Sequence, residues 1–186
     1  MAGALTARPN LGEALTSLAV LTVHLGMTGE ARALLDRALA LDPNDLFANT
    51  HVALLASVEG RWEDAYESAA GMWQRKPSGW TGYQVALAEL HLGRLADAKR
   101  TADRTRRHYP GNVLLYPIGA PTAAIEGDAA GARRHIEFTV KHRQEFGHYH
   151  HAQYDVACAL ALLGERDEAV ECLEEAAANG LPCPTA

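Results

Sequence analysis

Apolar residues along this chain recur every three or four positions, which is the spacing of one face of an α-helix. The stretch Leu34, Leu35, Ala38, Leu39 and Leu41 is a clear example. Such stretches come in pairs, and a glycine lies between the two members of each pair. The pattern predicts helix A, turn, helix B, turn, repeated five times.

The spacing of the turn glycines indicates an internal repeat. Successive glycines are separated by 34, 33, 34 and 37 residues. One alanine lies seven residues before each glycine and another lies five residues after it. The repeated residues are Gly26, Gly60, Gly93, Gly127 and Gly164; Ala19, Ala53, Ala86, Ala120 and Ala157; and Ala31, Ala65, Ala98, Ala132 and Ala169. A partial fourth series holds Pro9, Pro43, Pro77 and Pro110.

Each series has a physical reason. Glycine adopts positive φ without steric cost, so it ends helix A and begins a tight turn. An alanine on each of two antiparallel helices lets the two axes approach closely. Proline stops helix B. A residue that can cap the next helix follows the proline: Asn10, Asn44, Ser78 and, one residue later, Asn112.

The stretch Gly29-Glu30-Ala31 … Ala38-Leu39-Ala40-Leu41-Asp42-Pro43-Asn44 resembles the tetratricopeptide repeat (TPR) family, whose unit is 34 residues. The resemblance extends over nearly the whole chain. It implies an all-α fold, a right-handed α-solenoid of about five TPR-like helical hairpins in one continuous domain. The repeats are expected at residues 12–45, 46–79, 80–112, 113–147 and 150–183, with residues 1–9 as the tail of a preceding repeat.

Repeat 4 departs from the pattern. Pro117 and Pro121 fall where its helix A should run. A proline inside a helix costs about 3 kcal/mol, so this helix is expected to be kinked, or shortened to begin near Pro121.

Both ends of the array lack a cap. Pro9 lies 34 residues before Pro43, and no amphipathic helix follows repeat 5. Solenoids usually need polar caps. We therefore expect the chain to be a piece of a longer protein, or to self-associate through an uncapped end. Residues 146–151 and 179–183 also resemble the last repeat of bacterial TPR regions that follow a kinase or transcription-regulator domain.

Composition narrows the functional classes. The 186 residues are 48% hydrophobic and 22% charged, as in globular proteins. The net charge of −6 disfavours binding to nucleic acid. No run of about eighteen apolar residues predicts a membrane span. Cys158, Cys172 and Cys183 are an odd number without metal-type spacing, which favours reduced thiols and a cytoplasmic location.

Exposed positions on helix A are the predicted binding surface, because the resemblance implies that these helices line the concave face. Aromatic residues there suit a partner helix or an extended peptide. The alternative is that the same rings pack between neighbouring helices. The predicted contact residues are Phe47, Thr50, Trp80, Tyr83, His91, His151 and Tyr154.

Nine histidines are many for this length. His148, His150 and His151 are close in sequence, and His135 and His142 lie seven residues apart on one helical face. Imidazoles bind Zn, Ni or Cu. However, no carboxylate or thiol lies at a recognised zinc spacing, so no metal or other cofactor is predicted, and helix-start residues at a repeat junction are the simpler interpretation.

Catalytic motifs are also missing. The chain has no phosphate loop ending in Lys-Ser/Thr, no His-Glu-x-x-His and no Gly-x-Ser-x-Gly. The predicted function is non-catalytic binding of a peptide or helix of a partner protein. The alternative is a regulatory or sensor segment of a larger enzyme or transcription regulator, holding a small ligand or metal near Pro117, Pro121 and the histidines.

Overall fold

The computed structural model describes residues 11–110, 113–145 and 149–178, and this part of the chain contains ten α-helices, one 3₁₀ turn and no β-strand. The helices are α1 (Gly12–His24), α2 (Thr28–Leu41), α3 (Leu46–Val58), α4 (Trp62–Arg75), α5 (Gly79–His91), α6 (Leu95–His108), α7 (Leu115–Ile125), α8 (Ala129–Lys141), α9 (Tyr149–Leu162) and α10 (Arg166–Ala178). The 3₁₀ turn is Arg143–Glu145. The predicted all-α repeat fold is confirmed.

Each of the five turn glycines has a positive φ, between 70° and 85°. The residue after the glycine donates its backbone N–H to a carbonyl five residues earlier, as from Met27 to Thr22 and from Glu165 to Leu160, each at 2.9 Å. This is the Schellman arrangement, which satisfies carbonyls that the end of helix A leaves unpaired. The glycines therefore act as the sequence predicts.

The two alanine series lie where the helices of each hairpin meet. All ten alanines are buried, and none exposes more than 4% of its surface. Because a methyl group is the largest side chain at these points, helices A and B of each pair pack closely. The pairs are α1 with α2, α3 with α4, α5 with α6, α7 with α8, and α9 with α10.

The described residues form two compact units, one ending at Pro77 and the other beginning at Ser78. The core of the first unit includes Leu15, Val23, Leu35 and Leu55. The second unit has two clusters of its own. One holds Tyr83, Leu90, Leu115 and Ile118, and the other holds Val156 and Leu160.

Of the two alternatives expected for helix A of repeat 4, a kinked helix or a start near Pro121, the second is wrong. Helix α7 begins at Leu115 and continues to Ile125. Pro117 lies in the first turn, where no N–H is needed. Pro121 lies inside the helix and removes one backbone donor. The buried residues Leu115 and Ile118 anchor this helix in the core of the second unit, which offsets the lost hydrogen bond.

Helix caps follow the sequence prediction in one described case and not in another. Ser78 caps α5: its hydroxyl accepts from the Thr81 N–H at 3.1 Å, and the Thr81 hydroxyl accepts from the Ser78 N–H at 3.0 Å. Asp45, rather than Asn44, caps α3, because its carboxylate accepts from the Ala48 N–H at 2.9 Å. The predicted caps Asn10 and Asn112 lie outside the described residues. No helix in the described part is both long and apolar enough to cross a membrane.

Candidate functional site

Helix A of three repeats carries two predicted binding residues, at least one of which bears a ring, at the same distances from its turn glycine. One position lies thirteen residues before the glycine and the other ten residues before it. Residues three apart lie on the same face of a helix, so each pair shares one face. By helix, the pairs are Phe47 and Thr50 in α3, Trp80 and Tyr83 in α5, and His151 and Tyr154 in α9.

In the first unit, α3 exposes the ring of Phe47, with 45% of the residue accessible. The ring meets the imidazole of His51 edge-on, with centroids 4.5 Å apart. His51 is buried, and its Nδ1–H donates to the Phe47 carbonyl oxygen at 2.7 Å. Burial lowers the pKa of His51, so the neutral imidazole supports the exposed phenyl ring. Thr50, half-buried beside them, donates its hydroxyl hydrogen to the Leu46 carbonyl at 2.7 Å.

In the second unit, α5 holds a stacked pair of rings. Trp80 lies on Tyr83 with centroids 5.4 Å apart and planes 26° apart. Tyr83 is buried in the core of this unit, and Trp80 is half-buried against the same cluster. Tyr83 therefore supports the ring of Trp80 and offers little surface to a partner itself. His91 is exposed at the last residue of α5.

Helix α9 carries the last predicted pair. His151 is half-buried, and its ring lies 4.3 Å from the ring of the buried His150. Burial and a hydrogen bond with Cys158 raise the pKa of the half-buried Tyr154 to about 12. Burial also raises the pKa of the Cys158 thiol, which keeps it protonated and disfavours a role as nucleophile.

The remaining histidines predicted as metal candidates lie in different surroundings. His142 stacks on Phe138 with centroids 3.9 Å apart, and Phe138 stacks on Tyr116 at 3.7 Å. His135 packs against the backbone of Gly119, and burial, together with Arg106 and Arg134, lowers its pKa. His135 therefore has a packing role in α8, and His142 has one at the residue that follows α8. His148 lies outside the described residues.

A buried carboxyl in α9 was missed from the sequence. Asp155 exposes only 4% of its surface, and its Oδ2 has no hydrogen-bond partner among the described residues. Burial raises its pKa to about 7. The sequence holds one indication of it: Asp155 lies nine residues before its turn glycine, and His51 and Gln84, at the same position in their repeats, are also polar and buried. Three buried polar residues in one series of the repeat indicate that this helical face is not purely hydrophobic.

A small cleft opens between α6, α7 and α8 of the second unit, with a volume of about 140 Å³. Gly119 and Gly131 contribute no side chains to its walls. Its charges occur in pairs. Lys99 contacts Glu126 at 2.9 Å and Arg134 contacts Asp128 at 3.8 Å, while Arg106 contacts Asp103. A cleft with balanced charges suits a small polar ligand more than an anion.

The geometry first defines a class, that of all-α helical-repeat proteins. Each described helical hairpin has a turn with a glycine in the left-handed backbone conformation. Residues 150–178 match the family model of the tetratricopeptide repeat. No curated protein matches the chain.

Solved structures share the fold over most of the chain. TTC0263, a thermophilic TPR protein of Thermus thermophilus, has a TM-score of 0.74 at 19% identity, covering 90% of this chain and 91% of its own. A TPR protein of Parabacteroides merdae has a TM-score of 0.73 at 19% identity, and the match covers 97% of this chain and 70% of that protein. YrrB, a TPR protein with an unusual peptide-binding site, has a TM-score of 0.56 at 16% identity, and the match covers 96% of this chain and 91% of YrrB. The chain therefore has the fold of tetratricopeptide repeat proteins, and its last described hairpin matches the family itself, as the sequence resemblance implied.

Proposed function

We propose that this chain is a non-catalytic scaffold that binds a peptide or helix of a partner protein on the faces of its A helices. The observation that carries the proposal is the repeated placement of a ring on α3, α5 and α9. Phe47, Trp80 and His151 occupy the same position in their repeats, and each rests on a second, more deeply buried ring. A scaffold with free thiols at Cys158 and Cys172 suits the cytoplasm.

Support from beneath makes these rings suitable for binding. The buried rings of His51, Tyr83 and His150 limit the motion of the more accessible rings of Phe47, Trp80 and His151, so little side-chain entropy is lost when a partner binds. Aromatic side chains of this kind dominate the binding energy of many interfaces. Thr50, His91 and Tyr154 add polar groups that would orient the partner. The peptide-binding site of YrrB supports the same use of this fold.

The test begins with selection of peptides from a displayed random library on the purified chain. Affinities of the selected peptides are then compared for the wild type and for Phe47→Ala, His91→Ala and Trp80→Ala. Phe47→Ala is the sharpest variant, because Phe47 is exposed and its loss should leave thermal stability unchanged. We expect it to weaken binding about tenfold, the usual effect of truncating a central aromatic contact.

Leu41→Ala is the matched control, since Leu41 is a similarly exposed apolar residue on a B helix, at 48%. It should leave the affinity unchanged. A library that yields no binder would contradict the proposal, and so would peptides whose affinity none of the three variants changes.

The second candidate function is that of a regulatory or sensor segment of a larger enzyme or transcription regulator. The cleft beside α7 favours it, because Ile118, Gly119 and His135 line it close to Pro117 and Pro121. Its volume of about 140 Å³ is below the roughly 300 Å³ at which drug-sized ligand sites begin, so only a very small ligand would fit. A stoichiometric metal that is lost in a His148→Ala/His151→Ala variant would favour this candidate over the scaffold.

A further inference from the structure

Consecutive hairpins within each unit are joined by an ion pair at a fixed place in the repeat. The cation lies six residues after the turn glycine, at position +6, and the acid lies next to the turn glycine of the following repeat, at −1 or +1. The pairs are Arg32 with Glu59, Lys99 with Glu126, and Arg133 with Glu165. The same register thus brings position +6 against positions −1 and +1 at every described junction of this kind.

Apolar packing lies beneath these ion pairs. Position +9 lies three residues further along helix B. It is occupied by Leu35 in repeat 1 and by Ala102 in repeat 3, and both residues are buried. Leu35 shares a core cluster with Leu55, which is at position −5 of the next repeat. The junction of repeats 1 and 2 therefore combines two features in register: the ion pair of Arg32 with Glu59, which joins +6 to −1, and the shared core cluster of Leu35 and Leu55, at +9 and −5.

The first and last described hairpins leave these positions exposed, and both sets are apolar. At the outgoing end, Val170 occupies +6 and Leu173 occupies +9, with 54% and 41% of their surfaces accessible. At the incoming end, Leu21 occupies −5, Leu25 occupies −1 and Met27 occupies +1, with 51%, 63% and 41% accessible. We call Val170 and Leu173 the outgoing patch, and Leu21, Leu25 and Met27 the incoming patch.

The outgoing and incoming patches differ from the described junctions in the same way. Where the described junctions pair a cation with an acid, the ends offer Val170 for the cation and Leu25 and Met27 for the acids. An apolar residue replaces a charged one on both sides of the same contact. Charged residues are the ordinary choice at positions that face water, so the matched apolar residues favour contact between the two patches.

We propose that a second copy of this chain docks head to tail, with the outgoing patch of one copy on the incoming patch of the next. Leu173 then packs on Leu21 of the next copy, as Leu35 packs in one cluster with Leu55, and Val170 packs between Leu25 and Met27. The proposal rests on the register of the repeats and not on the ligand-binding face of the A helices.

Charge argues against the symmetric alternative, in which α10 packs on α10 of another copy. Glu171 and Glu174 lie exposed beside the outgoing patch. A two-fold contact would bring these acids together, and like charges at an interface are unfavourable. The incoming patch carries no acid at positions −1 or +1. Because a head-to-tail contact uses two different surfaces, two copies joined by it still have one patch of each kind uncovered. Association therefore continues beyond two molecules, into rings or open chains.

Analytical ultracentrifugation over a concentration series tests the contact. The weight-average mass of the wild type should rise above the 20.0 kDa of one chain and continue beyond two chains. Val170→Arg and Leu25→Glu should each raise the dissociation constant about tenfold or more, since each places an unpaired charge against apolar side chains. Ile125→Arg is the control, because Ile125 is also an exposed apolar residue, at 48%, and lies outside both patches.

The double variant Val170→Arg/Leu25→Glu is the decisive measurement. It recreates the arrangement of Arg32 and Glu59, so association should return and should become sensitive to salt. In about 1 M salt, where the Debye length is about 3 Å, it should weaken again, while the wild type should not.

Several outcomes would overturn the proposal. The wild type could remain at 20.0 kDa throughout the series. Leu25→Glu could leave association intact while Val170→Arg abolishes it, which would indicate the symmetric contact. The double variant could remain as weak as the single ones, which would show that the two patches do not meet in register.

Discussion

Adding one methyl group at Gly119 tests how tightly α7 and α8 pack. Gly119 lies in the middle of α7 and faces the imidazole of His135 in α8. A Cβ at this position would lie 2.6 Å from Cε1 and 2.7 Å from Nδ1 of His135. Ordinary contacts of a Cβ atom lie at 3.4 Å or more, so Gly119→Ala requires the half-buried imidazole to move by several tenths of an ångström.

Two opposing effects set the size of the change. Overpacking a well-filled contact costs about 1–3 kcal/mol. Replacing glycine by alanine within a helix gains up to about 1 kcal/mol. The net effect of Gly119→Ala should therefore be a loss of about 1 kcal/mol, or roughly 2–4 °C in melting temperature for a chain of this size. Without the imidazole the first effect disappears, so the same substitution in a His135→Ala background should stabilise the protein.

Chemical denaturation followed by circular dichroism measures all four members of this double-mutant cycle. Gly71→Ala is the matched control, because Gly71 lies inside α4 and an added Cβ there meets nothing within 4 Å. It should stabilise the protein by up to about 1 kcal/mol. If Gly119→Ala changes the free energy of unfolding by the same amount with and without the imidazole, the contact between α7 and α8 does not limit the side chain at this position.

Two further predictions concern α5 and α9. Ala86 is fully buried at the helix crossing, so Ala86→Leu should destabilise the protein by about 1–3 kcal/mol in denaturant titrations, and a neutral result would refute close packing there. Asp155 has a pKa of about 7 when folded against 3.8 when unfolded, so the folded state holds its proton longer and loses stability as pH rises between these values. The free energy of unfolding of Asp155→Asn, relative to that of the wild type, should therefore increase as pH rises from about 4 to about 8, by at most about 4 kcal/mol. A difference in stability that does not change with pH would count against the buried carboxyl.

The repeat fold was predictable because it depends on residues whose roles are local. A glycine with positive φ ends a helix whatever surrounds it, and an alanine permits close approach at any helix crossing. Gly26 and Ala31 therefore show their functions in the sequence. The cap of α3 was less predictable, since Asn44 and Asp45 are both good capping residues and only the path of the turn selects Asp45.

Features that depend on neighbouring elements were harder to foresee. Helix A of repeat 4 was expected to be kinked or to begin near Pro121, and the second alternative is wrong. The prolines disfavour an earlier start, but burial of Leu115 and Ile118 in the core outweighs that effect. The burial of Tyr83 and Asp155 likewise depends on what packs around their helices. Periodicity identifies a face of a helix, but the extent of its coverage is set by residues far away in the sequence.

The methyl-to-methyl contacts at the hairpin crossings have a consequence for how such a protein can diverge. Ten alanines and five glycines carry the geometric demands of every hairpin, and they lie inside the protein or in its turns. Most other side chains take no part in those contacts. The outer surface can therefore change by substitution without rebuilding the frame, and solved structures at 16–19% identity have the same fold.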